Sequence, residues 1–98
     1  MGVFRKIWRL IFRRSDKITY LGRAGLIFEM DGAQYFVDSE MLSGDFDIAI
    51  LWDNIYPYGN KEIKLSQKER EVILRELLKE LKYEGVKADV HPFFYDNQ

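Results

Sequence analysis

Along Asp45–Tyr56 the apolar positions are nearly unbroken: from Phe46 to Trp52 only Asp47 is polar. A run this short, rich in Ile and aromatic residues, predicts a strand over about 46–52, buried on both faces or nearly so. Such a strand needs neighbours on both edges and a layer above it. Before it, β-prone runs fall at about 17–22, 25–30 and 33–38. Asp31-Gly32 separates the last two and predicts a two-residue hairpin, because a type I′ turn requires positive φ at both positions. In the connection that follows, Ser39 is expected to cap a single turn carrying Met41 and Leu42 inward, and Gly44 to swing the chain into the central strand. Asp53-Asn54 is expected to end that strand. Tyr56–Asn60 carries turn chemistry, and Ile63 and Leu65 are expected in a short extended stretch.

The pattern then changes to a helical period. Ile73, Leu74, Leu77, Leu78 and Leu81 form one apolar stripe. Ser66-Gln67-Lys68-Glu69 reads as a capping box, and Gly85 stands where a left-handed C′ residue belongs. A helix is therefore predicted over about 67–84, with Glu71 and Arg75 as an i,i+4 ion pair. Val86, Ala88 and Val90 alternate with polar residues and predict a last half-buried strand, stopped by Pro92. At the other end of the chain, Phe4, Ile7, Trp8 and Ile11 share one helical face, with Arg5, Lys6, Arg9, Arg13 and Arg14 around them. The expected fold is α+β: a single antiparallel β-sheet of four to five strands packed against one main C-terminal helix, with an N-terminal amphipathic helix. Residues 1–14 form the basic amphipathic segment and residues 15–98 a single α+β domain.

Charge adds a feature that periodicity does not show. The net charge is −1, but Met1–Arg23 holds seven basic residues and one acidic, while Ala24–Asn60 holds seven acidic residues and no Lys or Arg. Lys61–Gln98 balances eight of each. Segregation of this kind bears on partners rather than on fold. The basic N-terminal segment has three readings: a helix packed on its own domain, an interfacial anchor on an anionic membrane through Phe4, Ile7, Trp8 and Ile11, or a basic arm for an acidic partner or nucleic acid. Basic residues interrupt its apolar stretch and no small-residue cleavage site follows, unlike a secretory signal. Lys6 stands where a myristoylation motif needs Ser or Thr.

The chemical inventory is mostly negative. Without cysteine, thiolate metal sites, disulfides and thiol nucleophiles are excluded. His91 is the sole histidine, and no nucleophile-elbow sequence accompanies it. Gly22-Arg23-Ala24-Gly25 is too short for a phosphate or dinucleotide loop. Asp45-x-Asp47 lacks the Gly and bidentate Glu of an EF-hand. No enzyme activity, cofactor or metal is expected. The acidic stretch instead suggests a surface that docks a basic protein and repels nucleic acid, built from Glu29, Asp31, Asp38, Glu40, Asp45, Asp47 and Asp53. Tyr56 and Tyr58 are candidate anchors beside it; Trp52 is expected in the core.

From Asp38 to Val90 the chain resembles small bacterial immunity proteins of polymorphic or contact-dependent-inhibition toxin systems. The resemblance is carried by the Ser39-Glu40-Met41-Leu42 turn, the Asp45-Phe46-Asp47 lead-in, the strand to Trp52 and the Asn54-Ile55 segment. The helix opening Leu65-Ser66-Gln67-Lys68-Glu69-Arg70, the Ile73, Leu77, Leu78, Leu81 stripe and Gly85-Val86 complete it. The basic segment Met1–Arg14 departs from that pattern. The resemblance implies stoichiometric, non-catalytic neutralisation of a cognate toxin domain in the cytoplasm, or at the inner face of the membrane if the N-terminal segment binds lipid. It transfers no residue-level binding site.

Overall fold

The structure, a computed structural model, describes residues 16–94, apart from the side chain of Arg23. The expected N-terminal helix and the polar tail Asp96–Gln98 lie outside the described residues. Five strands form one sheet in sequence order: β1 (Ile18–Tyr20), β2 (Leu26–Met30), β3 (Ala33–Met41), β4 (Ile48–Pro57) and β5 (Ala88–His91). Helix α1 (Gln67–Glu84) connects β4 to β5. The first four strands are an antiparallel meander, but β5 pairs parallel to β4, from Ile48↔Ala88 to Leu51↔His91. The expectation of a wholly antiparallel sheet is therefore corrected. One helix between two neighbouring strands carries the chain back to where the first began, so the second must run the same way.

The β2–β3 hairpin turns at Asp31 (φ 53°) and Gly32 (φ 80°), the two positive angles that a type I′ turn demands. β3 runs three residues beyond the stretch expected from sequence, to Met41. Ser39 is not a cap: it lies in β3 opposite Ile50, with 4% of its surface exposed. Met41 and Leu42, at the end of β3, are not carried into the core: they are 52% and 38% exposed. Phe46, expected in the central strand, is 44% exposed in the β3–β4 connection. β4 does not stop at Asp53-Asn54. Its partner register jumps from Asp38↔Leu51 to Val37↔Ile55, so Trp52, Asp53 and Asn54 bulge and the strand resumes to Pro57.

The core lies between the sheet and α1. Ile18, Leu26, Phe28, Val37, Ile48, Ile50, Trp52 and Ile55 meet Ile73, Leu74, Leu77 and Leu81. The cap of α1 forms as the sequence predicts. Glu69 N donates to Ser66 Oγ at 3.1 Å, Ser66 N donates to Glu69 Oε1 at 2.9 Å, and Gly85 is left-handed at φ 81°. The Glu71–Arg75 pairing is replaced: the Glu71 carboxylate accepts from Gln67 at 3.0 Å, and the Arg75 guanidinium lies over the Phe94 ring. Two long-range ties lock α1 to the strands. Tyr20 donates its hydroxyl to the buried Glu84 carboxylate at 2.5 Å, and Arg70 donates to the Asp53 carbonyl at 2.9 Å. Trp52 Nε1 donates to the Pro92 carbonyl at 2.6 Å and its indole meets Phe94 edge-on. The segment after β5 is thereby held against the core.

Candidate functional site: the open face of the sheet

Side chains alternate across a pleated strand, so cross-strand partners share a face. The strand registers place Thr19, Ile27, Phe36 and Tyr56 in one row opposite the core. Glu29 and Gln34 form a row on one side of it. Asp38, Leu51 and His91 form a row on the other, followed by Glu40, Ala49 and Asp89. This second face thus holds four carboxylates, and no strand residue on it is Lys or Arg. At its centre Phe36 and Tyr56 stack, with ring centroids 4.8 Å apart. Among the described residues, the only helix longer than one turn is α1, which packs on the core face; on this second face Ile27 and Ala49 are nonetheless buried and Phe36, Leu51 and Tyr56 partly buried, while Glu29 and Glu40 are exposed.

The structure divides the sequence-predicted docking residues. It brings Glu29, Asp38, Glu40 and Tyr56 together on this face. Asp45 and Asp47 lie in the β3–β4 connection at one end of the sheet. Asp31, in the hairpin turn, and Tyr58, whose amide donates to the Gln34 carbonyl at 2.9 Å, lie at the other. Asp53 is exposed at the bulge. Asp38 accepts from Asn54 Nδ2 at 3.3 Å, which ties the bulge to β3. Asp47 acts within the fold. Its Oδ2 accepts from Lys87 N at 2.7 Å, and its own amide donates to Lys87 O at 2.8 Å. These bonds fix the start of β5.

Sequence reasoning missed Asp89, His91, Phe36 and Leu51 as members of the face. Period-2 alternation from Ile27 to Glu40 carried part of that signal; the β4–β5 pairing carried the rest. His91 Nε2 lies 3.0 Å from Asp89 Oδ2, both on the open face. Ser39 is on the core face, so it does not join them. Among the described residues, no three His, Asp or Glu side chains come together in a way that would hold a metal. No helix among them is long and apolar enough to cross a membrane. The chain matches no protein-family model, and no curated protein or solved structure matches it significantly.

Proposed function

We propose that this domain is a non-catalytic binding protein that captures a basic protein partner on the open face of its sheet. The partner is a cognate toxin domain, as the resemblance to immunity proteins implies. The observation that carries the reading is that Glu29, Asp38, Glu40 and Asp89 share one face of the sheet with the Phe36–Tyr56 stack, with no Lys or Arg on the strands of that face. One-signed charge speeds encounter with a cationic surface and rejects acidic ones. Aromatic side chains at the centre of such a patch are favoured anchors once the surfaces meet. A toxin that acts on nucleic acid has a basic cleft for its substrate, and this face presents charge of the kind that cleft attracts.

The test is to sequence the neighbouring gene and, where it encodes a large protein with a variable C-terminal domain, to measure binding to that domain. Changing Glu29→Gln, Asp38→Asn and Glu40→Gln together is expected to weaken affinity at low salt by roughly tenfold or more. The difference from the unmodified chain should shrink as salt is raised, because exposed charges are screened. Equal affinity of the two chains at low salt would remove the electrostatic basis of the proposal. Asp47 is left out of this set because its carboxylate holds β5.

A further inference from the structure

Among the described residues, β5 ends the sheet, with no strand paired to its outer side. Ile48 N donates to Lys87 O at 3.2 Å, and Lys87 N donates to the Asp47 carboxylate at 2.7 Å. Lys87 therefore turns its backbone groups toward β4. Those groups alternate sides along a strand, so Ala88 and Val90 turn theirs outward. An unpaired edge of this kind is a template for another strand. Beside it, on the core side of the sheet, Leu78 and Leu81 of α1 line an open groove of about 310 Å³ with Val86 and Ala88.

We infer that two copies of this chain pair edge to edge through β5, antiparallel about a two-fold axis at Ala88. The order of residues along the edge selects this occupant. Val86-Lys87-Ala88-Asp89-Val90 is self-complementary about its centre. In an antiparallel pair centred there, each Ala88 faces its own copy, each Lys87 faces the second copy's Asp89, and each Val86 faces the second copy's Val90. A two-fold interface requires this reciprocity, residue i meeting j while j meets i. Opposite charges and apolar pairs set directly across from each other are the contacts that stabilise neighbouring strands.

The backbone and the pleat agree with that register. It sets outward-turned Ala88 against itself, so the two exchange both of their hydrogen bonds. Val86 N is already held by Leu81 O at 2.9 Å in the cap of α1, which leaves the Val86 carbonyl to accept from the second copy's Val90 amide. Val86, Ala88 and Val90 pack on the core side, so the valine pairs extend the groove beside α1 across the seam. Alternation sets Lys87 with Asp89 on the open face, where the charge pairs form. The inference does not draw on the reading of the acidic face. The pairing leaves that face uncovered and joins the two copies' sheets into one. An edge strand and one groove make a small interface, of the class that associates reversibly.

Sedimentation equilibrium of the full chain over a dilution series is expected to show a reversible monomer–dimer equilibrium. Under the same conditions the Ala88 and Val90 amides, followed by NMR, should exchange slowly at high concentration and quickly on dilution. Lys87→Asp alone, or Asp89→Lys alone, sets like charges across the seam at both symmetric positions. Each should weaken self-association roughly tenfold or more. Mixed together, the two variants should form a heterodimer about as tightly as the unmodified chain, because every opposite-charge pair is then restored. Ala88→Pro removes only an outward amide, which an edge strand tolerates. It should weaken the dimer as well, and it serves if Lys87→Asp disturbs the contact with Asp47. Urea midpoints establish that each variant is folded. A monomer at every concentration, or a dimer that survives both charge reversals and Ala88→Pro, would overturn the inference. Ala88 and Val90 amides equally slow at all concentrations, or folded charge variants that fail to associate when mixed, would overturn it too.

Discussion

At the scale of single residues, two positions carry more than their type suggests. Asp47 belongs by sequence to the acidic stretch, yet its carboxylate accepts the Lys87 amide across forty positions of chain. Asp47→Ala is expected to lower stability by about 1–3 kcal/mol, the cost of losing a charge-assisted hydrogen bond, with faster amide exchange confined first to β5. A urea titration and hydrogen exchange check both. Gly25 has φ 120°, and a Cβ there would sit 2.7 Å from the Phe36 ring and 2.8 Å from the Val37 carbonyl. Gly25→Ala should therefore cost more than about 1 kcal/mol and shift the Phe36–Tyr56 stack, visible as aromatic chemical-shift changes. Neither role was legible in the sequence. Gly25 reads as an ordinary strand bracket, and the partner of Asp47 is too remote for any local pattern. Ser39 shows the converse error: its type suggests a cap, but the pairing of β3 with β4 holds it in a strand.

At the scale of elements, α1 was legible almost to the residue because its signals are local: cap, stripe and C′ glycine all lie within one helix length. Hydrogen bonds from the Ser66 backbone, and then from its side chain, hold the Glu69 carboxyl below the ordinary glutamate pKa. A lowered folded-state pKa stabilises above the unfolded value and is lost as pH falls through the folded one. The cap should thus weaken only in acid, below the ordinary glutamate range. Ser66→Ala should cost about 1 kcal/mol and return the Glu69 titration, followed by NMR, toward its usual position. Leu77, fully buried against the sheet, should cost about 2–5 kcal/mol on change to Ala; an unmoved urea midpoint would contradict its place in the core. The strands were legible in number and type but less so in extent. The bulge at Trp52–Asn54 depends on the register against β3, which no single strand encodes. The parallel pairing of β5 was implicit in a lone helix between neighbouring strands, a geometric consequence that residue alternation does not display.

At the scale of the whole molecule, charge and fold are nearly separable. Seven acids in thirty-seven residues without Lys or Arg were visible at once; which of them converge was not, because only the cross-strand registers sort them onto faces. Since Glu29 and Glu40 are exposed and Asn at position 38 keeps a carbonyl oxygen for Asn54 Nδ2, the Glu29→Gln, Asp38→Asn, Glu40→Gln chain should keep its stability, read from the urea midpoint, to within about 0.5 kcal/mol. Unchanged stability with reduced partner affinity would locate the effect in recognition rather than folding.

The position of β5 has a consequence for how the protein is made. Residues 48–51 find their outer neighbours only at residues 88–91, forty positions later. While those positions are still being translated, the emerging chain presents a bare apolar ladder of the kind that recruits foreign strands. The moment of greatest exposure to misassembly therefore falls after the meander has formed and before the last strand leaves the ribosome.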